Sequence, residues 1–129
     1  MRYFHASKSK VFTHRRIFKT RYGFSVSFFT DNPDLVKLYF DLYKGQVISV
    51  NFDSPDYEID YKSKSSYSVD FRNLIFRLKK ENYESVLIKN VLDYPTQKTK
   101  RIIISDILII FDSSIIANYD TINLNCPIF

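Results

Sequence analysis

The stretch "SFFTDNPDLVKLYF", residues 27–40, decides how this chain reads, because three local signals follow one another in it: aromatics suited to a strand, a turn, and apolar residues at helical spacing. Asp31 or Asn32 can cap a helix and Pro33 fits its first turn. Leu35, Val36, Tyr39, Phe40 and Tyr43 then fall on one helical face before Gly45, which is expected to end the helix. Just upstream, "YGFSVSFFT" (22–30) sets Phe24, Val26 and Phe28 on one side of a strand. On composition alone these aromatics are core filler; the question is whether they also wall a pocket.

Working outward, "RYFHAS" (2–7) suits a first strand, and "QVISVNF" (46–52) is a β-branched, alternating strand entered from the Gly45 turn. The region "DSPDYEIDYKSKSSYS" (53–68), where Ser, Asp and Lys interrupt alternation, reads as loop-like. In "SVDFRNLIFRLKKENYE" (68–84), Phe71, Leu74, Ile75 and Leu78 recur at i, i+3, i+4 and i+7, with Asp70 near the start, lysines near the end and Asn82 suited to a left-handed cap. "SVLIKNV" (85–91) and "RIIISDILIIFD" (101–112) are strands, the second so apolar that it should lie centrally or break near Ser105 and Asp106. An order of strand, strand, helix, strand, helix, strand, strand lacks regular βαβ alternation and points to an α+β domain of mostly antiparallel strands with two main helices.

Composition narrows the classes. A chain of 129 residues fits a single domain, 1–129. No apolar run reaches the roughly 18 residues of a membrane span, and "MRYFHASKSK" lacks the apolar stretch of a signal peptide, so no membrane and a cytoplasmic setting are expected. Cys126 stands alone, which excludes an internal disulfide, and with two histidines, His5 and His14, a zinc site is not expected. The net charge of +5 is concentrated in "KSKVFTHRRIFKTRYGF" (8–24) and "QKTKR" (97–101), patches able to meet phosphate or to be a plain solvated surface.

Three separated segments, in order, resemble the small ADP-ribosyltransferases of the diphtheria-toxin and poly(ADP-ribose) polymerase type, from residue 3 to 116. "YFHAS" (3–7) is similar to the family's first strand of aromatic, His, Gly and Ser or Thr, with Ala6 in place of glycine. "SFFTDNPDLVKLYF" matches its spacing of two aromatics, a small residue, Asp, a helix start and a tyrosine eleven residues after the first aromatic: Phe28, Phe29, Thr30, Asp31, Tyr39. "YESVLIKNV" (83–91) and "SDILIIFDSSII" (105–116) look like its last two strands, where active members carry a glutamate; here Ile107 matches that position and Asp106 precedes it by one.

The resemblance implies a split, mostly antiparallel sheet and an NAD-dependent mono-ADP-ribosyltransferase modifying a macromolecular acceptor, a protein ahead of a nucleic acid, with NAD as substrate. It implies that His5, Ala6 and Ser7 hold the ribose and the amide, that Phe28, Phe29, Thr30 and Tyr39 surround the nicotinamide ring, and that Ile107 borders it. Cleavage of the nicotinamide bond needs positive charge on the ribose stabilised. Asp106 ranks first for that acid beside His5, although one residue of register turns a strand side chain to the other face and only a bulge would restore it. Asn90 and Asp93, after the preceding strand, are further candidates. The arginines of 15–21 suit a pyrophosphate. Size and resemblance suggest a toxin or a viral or mobile-element effector acting on host machinery. Two alternatives stand beside this: an inactive nucleotide- or partner-binding protein on the same fold, and a small basic nucleic-acid-binding domain whose aromatics stack on bases.

Overall fold

The computed structural model describes residues 1–7, 22–93, 102–112, 115–116 and 118–122. The basic runs within 8–21 and 97–101, His14 and Cys126 lie outside the described residues. Seven strands and two helices follow in the order β1 (Arg2–Ser7), β2 (Ser27–Thr30), α1 (Pro33–Tyr43), β3 (Gln46–Asn51), β4 (Tyr57–Asp60), α2 (Val69–Lys80), β5 (Ser85–Asp93), β6 (Ile103–Ile110) and β7 (Asp120–Ile122). The class is α+β, with one mixed sheet in the order β4-β5-β6-β2-β1-β3-β7. Every pairing is antiparallel except that of β4 with β5.

The helices form where local chemistry allows. Asn32, in extended backbone, caps α1: its Oδ1 accepts from the amides of Asp34 at 2.9 Å and Leu35 at 3.4 Å. Pro33 then occupies the first turn, where no amide hydrogen is needed. The helix ends on Lys44, which adopts the left-handed conformation (φ 57) expected of Gly45, and its amide closes the last turn on the Phe40 carbonyl at 2.7 Å. Ser68 caps α2 by accepting from Phe71 N at 3.1 Å, and Asn82 takes the left-handed position after it (φ 64).

Both helices lie on one face of the sheet. Phe4 pairs with Thr30 and Thr30 with Ile107, so their side chains share a face. Val36 of α1 packs there on Phe4 and Val47, while Phe71, Leu74, Ile75 and Leu78 of α2 pack on Val86, Ile88, Ile107 and Ile109. The opposite face carries Tyr3, Phe29, Ile48, Leu87, Leu108 and Ile110, covered by Phe52, Ile115, Ile116 and Tyr119.

The strands depart from the sequence reading in three places. The strand expected over 22–30 is only Ser27–Thr30; Tyr22 and Phe24 lie outside the ladder and pack on Phe76 of α2 and the core beside it. The region 53–68 contains β4, a short edge strand whose mostly exposed side chains give no apolar alternation. A short β7 adds a further strand beyond β6. Of the two expectations for the apolar strand, the first holds: β6 lies inside the sheet between β5 and β2 and runs unbroken through Ser105 and Asp106, and the irregularity sits opposite it, where Ile88 pairs with Ile107 but Val91 pairs with Ser105, leaving Lys89 and Asn90 together facing Asp106. Asn90 has φ 57, and its amide donates to Asp106 Oδ1 at 3.0 Å, which makes this a β-bulge in β5.

That bulge reverses the parity of the end of β5. Counting from Ile88 without it, residue 93 would face away from the helices; with one residue inserted, Val91 and Asp93 return to the helix face.

A second feature of the sheet positions the site. Among the described residues, the half β4-β5-β6-β2 joins the half β1-β3-β7 through a single pair, Phe4 opposite Thr30. A cleft opens at that seam.

Candidate functional site

The cleft has a volume of about 390 Å³ and is walled by β1, β2, α1, the segment before α2 and the end of β5. Its floor is Phe4, Ala6, Phe28, Thr30 and Ile107, its α1 wall Leu35, Val36 and Tyr39, and its far side Tyr22, Ser66, Tyr67, Phe71 and Asp93. His5 and Phe29 border it at the seam, although by strand alternation both side chains belong to the opposite face of the sheet, where their rings pack together. A cavity of this size with aromatic walls and a few convergent polar groups is the usual form of a small-molecule site.

His5 is fixed by its backbone neighbour across the seam. Its Nδ1 lies 2.7 Å from the carbonyl oxygen of Phe28. A carbonyl only accepts, so Nδ1 carries the hydrogen and donates, which leaves the lone pair of a neutral ring on Nε2. Burial pushes the His5 pKa below its ordinary value of 6.5, against the smaller opposing effect of the Phe28 carbonyl, so the ring is neutral at pH 7. Phe29 supports it, with ring centroids 5.2 Å apart.

On the far side, Asp93 is 6% exposed, and two hydroxyls are among the groups that hold its carboxylate. Tyr39 Oη donates to it, lying 3.1 Å from each carboxylate oxygen, and Ser66 Oγ donates to Oδ1 at 2.6 Å. Tyr39 comes from α1, Ser66 from the turn before α2, and Asp93 from the last residue of β5, so this hub ties three elements together. Charge-assisted bonds of this length orient a carboxylate closely.

The residues singled out in the sequence divide accordingly. His5, Ala6, Phe28, Phe29, Thr30, Tyr39 and Ile107, from four separate elements, line the one cleft. The Ser7 side chain and the arginines of 15–21 lie outside the described residues. Asp106 does not line the cleft. It stands one residue from Ile107 on the opposite face of β6, where its amide donates to Asp31 Oδ1 at 2.9 Å and Asp31 N donates to its carbonyl at 3.2 Å. The bulge that would have restored an acid to the cleft lies in β5, and the carboxylate it delivers is Asp93. Asn90 is spent in the bulge itself, its side-chain amide donating to Asp60 Oδ1 at 3.2 Å.

Asp31, which follows the aromatic pair, is a structural residue tying the turn after β2 to β6, and burial raises its pKa above the ordinary 3.8. Ser66, Tyr67, Phe71 and Tyr22 were not singled out as site residues from the sequence. Phe71 carries the helical periodicity of a core residue, and Ser66 and Tyr67 sit in a polar stretch that offers no period to read.

Among the described residues no group of three His, Cys, Asp or Glu side chains is placed to hold a metal ion, and no helix is long and apolar enough to cross a membrane. No protein-family model, curated protein or solved structure matches the chain.

Proposed function

We propose that the cleft binds NAD by its nicotinamide–ribose half and that the chain is a mono-ADP-ribosyltransferase acting on a macromolecular acceptor, with a fold of the ADP-ribosyltransferase kind. One observation carries this reading. The segments that resemble that family are far apart in sequence, yet His5, Phe28, Thr30, Tyr39 and Ile107 meet around a single cavity.

In this reading the ring lies between Phe28 and Tyr39, whose faces supply contact area at low entropic cost. Neutral His5, held by the Phe28 carbonyl, borders the ribose end of the cleft at the seam. The bond between ribose C1′ and the nicotinamide nitrogen breaks with its electron pair going to that nitrogen, which becomes neutral. An oxygen or nitrogen of the acceptor then bonds to C1′ and gives its proton to solvent. The products are nicotinamide, ADP-ribosylated acceptor and one proton.

Incubation with NAD labelled in the adenylate half and a cell extract tests this directly. Nicotinamide release together with label on a macromolecule is expected; neither signal at any protein concentration refutes the proposal. Ile107 gives a second reading its support, since an apolar residue stands where the family's active members place a glutamate. On that reading NAD binds without turnover, and calorimetry showing saturable binding but no release of nicotinamide decides for it. A toxin or effector role acting on host machinery remains part of the first reading and is tested by mass spectrometry of host proteins and nucleic acids after expression.

A further inference from the structure

We infer that the outer face of α2 is a docking surface for single-stranded nucleic acid, with Phe76 as the ring on which a base stacks and Arg72 and Lys79 as the cations that meet the phosphates beside it. The inference rests on this surface and goes beyond the transferase reading, to which it adds the kind of macromolecule that reaches the cleft.

The spacing on α2 lays the surface out. Arg72, Phe76 and Lys79 stand at i, i+4 and i+7, so they form one exposed stripe outside the face of Phe71, Leu74, Ile75 and Leu78 that packs on the sheet. The Phe76 ring belongs to a larger aromatic patch. Its centroid lies 5.5 Å from that of Tyr22 and 5.6 Å from that of Phe24, and Tyr22 is 6.0 Å from Phe28. Tyr22 and Phe28 both line the cleft, so aromatic surface runs from the cleft to the outside of the helix. Cations are set into that surface: the Arg72 guanidinium carbon is 5.7 Å from the centroid of Phe76, and Lys79 Nζ is 5.8 Å from that of Phe24.

A partner for this stripe must bring a flat apolar face and negative charge close together. A base and its phosphate do both, and an unpaired strand leaves the base free to stack. An acidic peptide answers the cations but leaves Phe76 in water, and a duplex keeps its bases stacked on one another. Charge favours the same partner at longer range. Within α2, Arg72, Arg77, Lys79 and Lys80 stand against Asp70, with Arg77 paired to Glu81 at 3.4 Å just beyond the helix, and the whole chain carries a net charge of +5.

Fluorescence anisotropy of the intact chain, without NAD, tests the docking with three labelled probes: oligothymidylate, a mixed-sequence duplex of the same length, and a polyglutamate peptide. Oligothymidylate is expected to bind about tenfold tighter than either of the others and to weaken as salt rises. Phe76→Ala is expected to lose about tenfold in affinity for it. Arg72→Gln and Lys79→Gln should each flatten the slope of log affinity against log salt by about 0.7. No binding of oligothymidylate, a duplex or peptide bound as tightly, an affinity that Phe76→Ala leaves unchanged, or slopes that neither glutamine variant alters would each overturn the inference. If the alanine variant does not fold, Phe76→Leu, which keeps apolar bulk without the ring, serves instead: the same loss supports the inference, and unchanged affinity overturns it. Binding of oligothymidylate without release of nicotinamide from NAD leaves the inference intact while removing the transferase reading, and release without binding does the reverse, so the two fail separately.

Discussion

The bulge at Asn90 can be tested by substitution at that one position, because its backbone is left-handed (φ 57) and its side chain is exposed. Asn90→Val places a β-branched residue in a conformation that crowds Cβ against the carbonyl, at a cost of about 1–2 kcal/mol. The lost bond from Asn90 Nδ2 to Asp60 is solvent-exposed and 3.2 Å long, so it adds at most about 0.5 kcal/mol. Asn90→Gly loses the same bond and relieves the backbone, but gives back about 0.5–1 kcal/mol through the freer unfolded chain, so its net effect is close to zero. For a domain of this size the valine variant should melt about 3–8 °C below the glycine variant. Circular dichroism on heating, with both proteins at one concentration and pH, reads the difference. Equal melting temperatures would refute the assignment of a left-handed residue here, and with it the parity argument that brings Asp93 to the cleft.

Three further outcomes follow from other parts of the molecule. Ile75→Ala opens a fully buried site between α2 and the sheet and should cost about 2–5 kcal/mol, whereas Phe76→Ala, one residue on and 38% exposed, should cost under about 1.5 kcal/mol in urea unfolding; equal costs would mean that α2 is rotated from the face described. His5 has a lowered pKa in the folded chain, so folding binds fewer protons there than the unfolded chain does; its contribution to stability is present above pH 6.5 and is lost as pH falls below that value. Melting temperatures of the native chain between pH 7.5 and 5 should therefore fall more steeply than those of His5→Gln, and parallel curves would count against a neutral, half-buried His5. Asp106→Ala removes the acceptor of the Asn90 amide and should cost about 1 kcal/mol while leaving ligand affinity in the cleft unchanged; a large loss of affinity would restore Asp106 to the site.

Much of the fold was legible because its strongest signals are local. The Asn32 cap, Pro33 and the spacing from Leu35 onward mark α1, and Phe71, Leu74, Ile75 and Leu78 mark the buried face of α2. Less legible were features fixed by pairing between distant segments. The strand β4 has exposed side chains and exists because its backbone pairs in parallel with β5, which no alternation in "YEID" announces. Lys44 took the left-handed position beside a glycine better suited to it, since where the helix stops depends on where the chain must turn into β3. For the site, the resemblance singled out residues that do share one cleft, but the acid depended on register. The sequence places Asp106 ahead of Asp93, and only the two-against-one pairing of Lys89 and Asn90 with Asp106 decides that it is Asp93 which faces the helices.

The seam between the two half-sheets has a mechanical consequence. Among the described residues one pair, Phe4 with Thr30, joins them in the sheet, and α1, packed on β1, β2 and β3, straps them from one side. A ligand that touches His5 on one half and Ile107 on the other would act as a rivet through that joint. Its binding would then be felt as resistance to the halves parting, so slowed amide exchange should spread along β1 and β2 on both sides of the seam, well beyond the residues the ligand itself contacts.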